Sequence, residues 1–141
     1  MNINKFNSEG YIDSTAYKAL TRIEQETKKT VFKPMVFICS PFAGEVESNI
    51  CRAQGYCRFA VKKNVIPFAP HLLFPQFLDD DDKVQRALGL SFGMVFLCKC
   101  YEIWVFGHKI TNGMALEIEK AKQRNISIRY FNDKCEEVES I

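Results

Sequence analysis

The chain has 141 residues, 47% of them hydrophobic, with 12 Phe, 6 Cys and 19 basic against 17 acidic side chains, for a formal charge of +2. That content supports one domain with a sizeable core and excludes global disorder, while no apolar run approaches the ~18 residues of a membrane span. Both signs of charge are spread along the chain without a basic stripe, which disfavours a nucleic-acid polymer as partner and favours a small polar ligand.

Residues 1–33 read as an N-terminal extension. The first residues are polar and lack the apolar core of a signal peptide, so the expectation is an unexported, cytoplasmic protein. A helix is expected from Ser14 to Lys29, capped by Asp13 or Ser14, with Ala16, Leu20, Ile23 and Thr27 on a narrow apolar face that packs on the main domain or on a second subunit.

The main domain, 34–131, opens with Met35 to Cys39, a near-continuous apolar run of the kind buried on both faces of a parallel sheet. Ser40-Pro41-Phe42-Ala43-Gly44 ends that strand, and a helix follows from Val46 to Lys62 with Ile50, Ala53, Cys57, Ala60 and Val61 at helical spacing. A short strand, Val65 to Phe68, completes a βαβ unit. The next stretch, APHLLFPQFLDDDD, is a loop by its two prolines yet rich in Leu and Phe, so it should be covered by a neighbour or folded over a ligand. The acids Asp79 to Asp82 then precede a helix from Lys83 to Lys99, where capping and the macrodipole account for them. That helix is apolar over much of its circumference, which points to a homodimer or higher homo-oligomer. A strand at 102–106, a helix from Thr111 to about Arg124, a strand at 126–130 and a charged, frayed tail over 132–141 finish the chain. The alternation predicts an α/β fold, a three-layer Rossmann/flavodoxin-like sandwich with a mainly parallel sheet of four to five strands.

Ligands of such sheets bind at the carboxyl ends of the strands. Thr111 as N-cap places Glu117 in the second turn of its helix; Met114, Ile118 and Ala121 define the buried stripe, so Glu117 sits at its boundary. Its side chain leans toward the helix start, where Gly113 leaves space uncovered, and the carboxylate is expected to look into a cleft. An ordinary surface Glu is the competing account. The Ser40–Gly44 loop faces the same edge, offering a hydroxyl and backbone N–H groups that suit a phosphate or a sugar hydroxyl. Neither G-x-G-x-x-G nor a P-loop lysine is present, which disfavours nicotinamide cofactors and ATP hydrolysis. A carboxylate in a partly apolar cleft, with Phe42, Phe74 and Phe77 to stack a base, suits nucleophilic attack on an anomeric carbon, a reaction that requires no metal or cofactor. The cysteines, Cys39, Cys51, Cys57, Cys98, Cys100 and Cys135, have no C-x-x-C pairing and no His at ligand spacing, and are expected to be reduced and mostly buried.

The segments VFICSPFAG, YCRFAV, APHLLFPQFLDD, EIWVFG and NGMALEIEKA, in that order, resemble the nucleoside 2-deoxyribosyltransferase-like family, small bacterial and phage proteins of the DUF4406/DUF7768 type. The resemblance covers roughly 34–131 and implies a nucleoside or nucleotide ligand, with Glu117 as the nucleophile of an N-glycosidase or deoxyribosyltransferase. Thr111 and Ser40 are similar to hydroxyl residues that serve the phosphate in the monophosphate glycosidases, which tilts the expectation toward a 5′-phosphorylated ligand. Pro41, Phe42, Gly44, His71, Gly113 and Met114 complete the expected binding set. Two departures stand out. Phe42 replaces an arginine of the monophosphate glycosidases, and Gly93-Met94-Val95 occupies the stretch where they carry a further aspartate. Leaving-group protonation then falls to Asp79 or Asp80, or to His71, which serves equally as a base contact or as the partner of a backbone carbonyl. His108 is a minor candidate beside its reading as a solvated loop residue. Without a group to protonate the departing base, the same cleft would serve a non-catalytic nucleotide-binding protein that senses or sequesters its ligand, as in phage counter-defence.

Overall fold

A computed structural model describes residues 14–29 and 32–141, which divide into two compact units between Phe32 and Lys33. The first contains helix α1 (Ser14–Lys29), where the Thr21 hydroxyl donates to the Tyr17 carbonyl at 2.8 Å. The expected cap Asp13 and the side chain of Thr27 lie outside the described residues.

The second unit runs β1 (Met35–Cys39), α2 (Val46–Lys62), β2 (Ile66–Phe68), two single-turn 3₁₀ helices (Pro70–Leu72 and Phe74–Gln76), α3 (Lys83–Leu97), β3 (Glu102–Phe106), α4 (Asn112–Gln123), β4 (Ser127–Phe131) and β5 (Glu137–Val138). The strands form one sheet in the order β2-β1-β3-β4-β5, parallel except for the β4–β5 pair. Their two-residue alternation divides the core. Phe37, Cys39, Ile103 and Val105 pack with Leu97, Met114, Ile118 and Ala121 on the α3/α4 side. Val36, Ile38, Trp104 and Phe106 pack with Tyr56, Ala60 and Phe131 on the α2 side. Three layers result, as the apolar runs of β1 and β3 require: both strands are buried on both faces. Among the described residues, no helix is long and apolar enough to cross a membrane.

This order sends the chain from β1 to α2 on one face and from β3 to α4 on the other, although β1 and β3 are hydrogen-bonded neighbours. The two connections diverge, opening a crevice at the carboxyl ends of β1 and β3.

Local differences from the sequence expectation have physical causes. The buried stripe of α2 is Asn49, Ala53, Tyr56 and Ala60, and Val61 is exposed. Asn49 is buried because its amide donates to the carbonyls of Phe42 (2.9 Å) and Ala43 (3.3 Å), and Tyr56 because its ring stacks on Phe106 at 4.3 Å. Cys39 and Cys100 are buried, whereas Cys51 and Cys98 are exposed; all six are free thiols. On α3, Val84, Leu88 and Val95 remain exposed.

The expected frayed tail is instead a turn followed by an edge strand. Asn132 Oδ1 accepts from the backbone N–H groups of Lys134 and Glu136. Glu137 takes a bidentate pair from Arg129 on β4 at 2.9 and 2.7 Å, and Ile141 packs against the α3/α4-side core. The charges that suggested fraying are those that dock the segment. Truncation after Phe131 is therefore expected to lower Tm by several degrees in a thermal melt; an unchanged Tm would contradict this docking.

Candidate active site

Ser40 follows directly on β1 and is 7% exposed, so its hydroxyl needs a partner. It has one: Oγ shares a hydrogen bond of 2.9 Å with His71 Nε2. His71 is held in the first 3₁₀ turn behind the buried Pro70, and its ring lies 6.0 Å from that of Phe42. Burial lowers the His71 pKa to about 4, so near neutral pH the imidazole carries no charge.

From β3, the chain enters α4 through Thr111, whose Oγ1 accepts the Met114 N–H at 3.3 Å as N-cap. Met114, Ile118 and Ala121 bury one stripe of the helix, leaving Glu117 half-buried at its edge. Gly113 meets no atom within 4 Å of where a Cβ would stand, so the space one turn before Glu117 is open. Ser40, His71, Thr111, Gly113 and Glu117 line one cleft of about 540 Å³, a size ordinary for small-ligand sites. Phe42, Pro70, Phe74 and Leu78 add an apolar wall, and Asp80, Lys83 and Arg86 a charged one. Burial pushes the Glu117 carboxyl up to about 7, offset in part by a hydrogen bond from the Cys39 thiol.

The profile of a domain family described as "Domain of unknown function (DUF7768)" matches residues 34–131. The chain belongs to that family. No curated protein matches the sequence. Among solved structures, the DUF7768 domain is similar to a 2-deoxyribosyltransferase from the psychrotolerant bacterium Bacillus psychrosaccharolyticus, with a TM-score of 0.53 and 14% identity over 70% of this chain and 72% of that one. At that identity the likeness concerns the fold, the Rossmann/flavodoxin-like α/β sandwich.

Within the DUF7768 domain, Ser40, Phe42, His71, Thr111, Gly113, Met114 and Glu117 line the one cleft. Pro41 and Gly44 do not line it. Gly44 supplies a φ of +94° to the turn before α2, and Pro41 borders a separate hollow of about 30 Å³, room for about one water. His108 borders that hollow too, its Nδ1 3.1 Å from Asp133 Oδ2, while Tyr56 donates to the other Asp133 oxygen at 3.3 Å. Asp79 also lies outside the cleft: its carboxylate accepts the Asp81 N–H at 3.0 Å, and its own N–H donates to Gln85. Asp82 caps α3 through Val84 and Gln85, so capping accounts for this acid, and Asp80 alone of the four faces the cleft. Phe77 is exposed and does not line it. Lys83, Arg86 and Asn112 were not anticipated. For Lys83, Arg86 and Leu90, three- and four-residue spacing on one helical face was the available signal. Among the described residues, no three His, Cys, Asp or Glu side chains gather as a metal site.

The Glu117 shift has a measurable consequence. In the folded state Glu117 keeps its proton to higher pH than its ordinary value of 4.5, so its contribution to stability is fully present below that value and is lost as pH rises through about 7. The rise corresponds to about 3 kcal/mol at most. Glu117→Gln is therefore expected to match the wild type near pH 4 and to exceed it in denaturant stability above pH 8, by about 2 kcal/mol. The opposite titration of His71 is common to both proteins and cancels. An equal stability gap at every pH would contradict the shift.

Proposed function

We propose that the DUF7768 domain is an N-glycosidase or deoxyribosyltransferase acting on a nucleoside or nucleoside 5′-monophosphate, with Glu117 as nucleophile. The observation that carries this reading is the half-buried carboxylate opening onto the cleft shared with Ser40. A Glu117 oxygen attacks C1′ and the glycosidic C–N bond breaks, its electron pair leaving with the base, which takes up a proton. Water or a second base then attacks C1′, and Glu117 departs as the carboxylate. The apolar wall limits water around the oxocarbenium-like transition state, and the Phe42 and Phe74 rings offer faces for the base.

Of the two acids expected to deliver the proton to the base, Asp80 lines the cleft and Asp79 does not. His71 fits this role poorly, since it is neutral and its Nε2 is engaged by Ser40. At the other end of the ligand, Lys83 and Arg86 have no carboxylate within ion-pair distance among the described residues, which supports an anionic group on the substrate. Thr111 Oγ1 already accepts the cap hydrogen bond, so its contribution to a phosphate is its O–H proton.

The withdrawal of Asp79 and the neutrality of His71 favour a second reading, a non-catalytic nucleotide-binding protein using the same cleft. Incubation with a panel of nucleosides and 5′-monophosphates, with and without an acceptor base, separates the two by chromatography of free base. The enzyme reading expects base release that falls at least ~100-fold in Glu117→Ala. It also expects a selective loss of affinity for monophosphates over nucleosides in Lys83→Ala and Arg86→Ala. Thermal stabilisation by a nucleotide without base release would instead establish the binder.

A further inference from the structure

The Ser40 hydroxyl and the His71 imidazole both line the cleft and lie 2.9 Å apart, and among the described residues neither has another hydrogen-bond partner. With the ring neutral, two arrangements are open: Ser40 donates to Nε2, or Nε2–H donates to Oγ. Burial selects the first. Ser40 is 7% exposed, and in the second arrangement its own proton would have no acceptor in the protein, whereas an under-used lone pair is tolerated more readily than an orphaned donor. When Ser40 donates, the ring proton moves to Nδ1. That nitrogen reaches open space, since no buried side-chain nitrogen or oxygen among the described residues lacks a partner, so its proton can be solvated.

Charge is absent from the same part of the wall. Residues 40–43 and 70–78 bring no carboxylate, lysine or arginine to the cleft, and its cations, Lys83 and Arg86, both stand on α3. Beside the pair is the Phe42 ring, 6.0 Å from that of His71, on a loop whose carbonyls at Phe42 and Ala43 are held by the Asn49 amide. An anionic oxygen placed here would meet lone pairs and aromatic surface, a costly loss of solvation. A hydroxyl or N–H group would meet an acceptor.

We propose that Ser40, His71 and Phe42 form a subsite for an uncharged hydrogen-bond donor of the ligand, a sugar hydroxyl or a base N–H, in which Ser40 Oγ accepts and His71 is the positioning residue that takes the hydroxyl proton. The anionic group of a nucleotide is then left to Lys83 and Arg86, and Ser40 departs from the phosphate role that the family resemblance implies. That the ligand is a nucleoside or nucleotide rests on the reading above; the direction of the Ser40 proton does not.

The His71 tautomer tests this in the intact wild-type protein. With ¹⁵N-labelled histidine, the His71 ring is assigned by its loss in His71→Gln, and correlations between ring nitrogens and carbon-bound ring protons show which nitrogen is protonated. Near neutral pH the proton is expected on Nδ1, and added inorganic phosphate is expected to leave it there. A proton on Nε2, in the free protein or after phosphate is added, overturns the proposal. Calorimetry with a 2′-deoxynucleoside and its 5′-monophosphate gives a second readout. Ser40→Ala is expected to weaken both ligands by the same factor, about tenfold. His71→Phe, which keeps a ring but removes the acceptor, is expected to do the same, and His71→Gln, whose amide oxygen can take the hydroxyl proton, to recover most of the loss. A Ser40→Ala loss confined to the monophosphate overturns the proposal. Failure of every nucleoside and nucleotide to bind or to release base would remove the glycosidase reading, and the tautomer of the free protein would still decide the role of His71.

Discussion

The structure depends on a carboxylate held half out of water where two adjacent parallel strands send their chains to opposite faces. Ionising a group there costs free energy, and burial raises Glu117 to about 7. A carboxylate so placed is under-solvated but within reach of its charged form near neutral pH, a useful state for a nucleophile. The sheet order produces this arrangement, because hydrogen-bonding β1 to β3 brings the Ser40 loop beside the α4 N-terminus across 60 residues and more of chain.

The apolar loop between β2 and α3 supplies the dry wall. Phe74 is buried among Phe68, Phe92 and Phe96, with ring centroids 5.7 to 6.3 Å apart, which explains a Leu- and Phe-rich segment that by its prolines had to be irregular. Two glycines of α3 face this loop. A Cβ at Gly89 would stand 3.4 Å from Leu78, and one at Gly93 would stand 3.6 Å from Pro70. A methyl group at Gly93 would meet Pro70 at an ordinary contact distance, so the His71 turn lies close against this face of the helix.

Local pattern made much of this legible. The continuous apolar runs of β1 and β3, the Thr111 cap and the Met114–Ile118–Ala121 stripe are readable from spacing, and together they place Glu117. What was not legible depends on partners distant in sequence. The α2 phase turned on Asn49 holding two loop carbonyls and on Tyr56 meeting a strand some fifty residues away. In a run of four aspartates only the turn geometry distinguishes Asp80, which faces the cleft, from Asp79 and Asp82, which satisfy backbone N–H groups. The C-terminal segment looked frayed because its charges had no visible partners, and Arg129 on β4 supplies one.

The most direct test of the account is chemical trapping at Glu117. The protein is incubated with a 2-fluoro-2-deoxyribosyl nucleoside whose fluorine slows turnover of a glycosyl-enzyme, quenched in acid and digested, and the peptides are weighed by mass spectrometry. The account predicts a pentosyl adduct on the α4 peptide, localised to Glu117 and absent from Glu117→Gln. Base release with the adduct on another residue, or with an undiminished rate in Glu117→Gln, would contradict it.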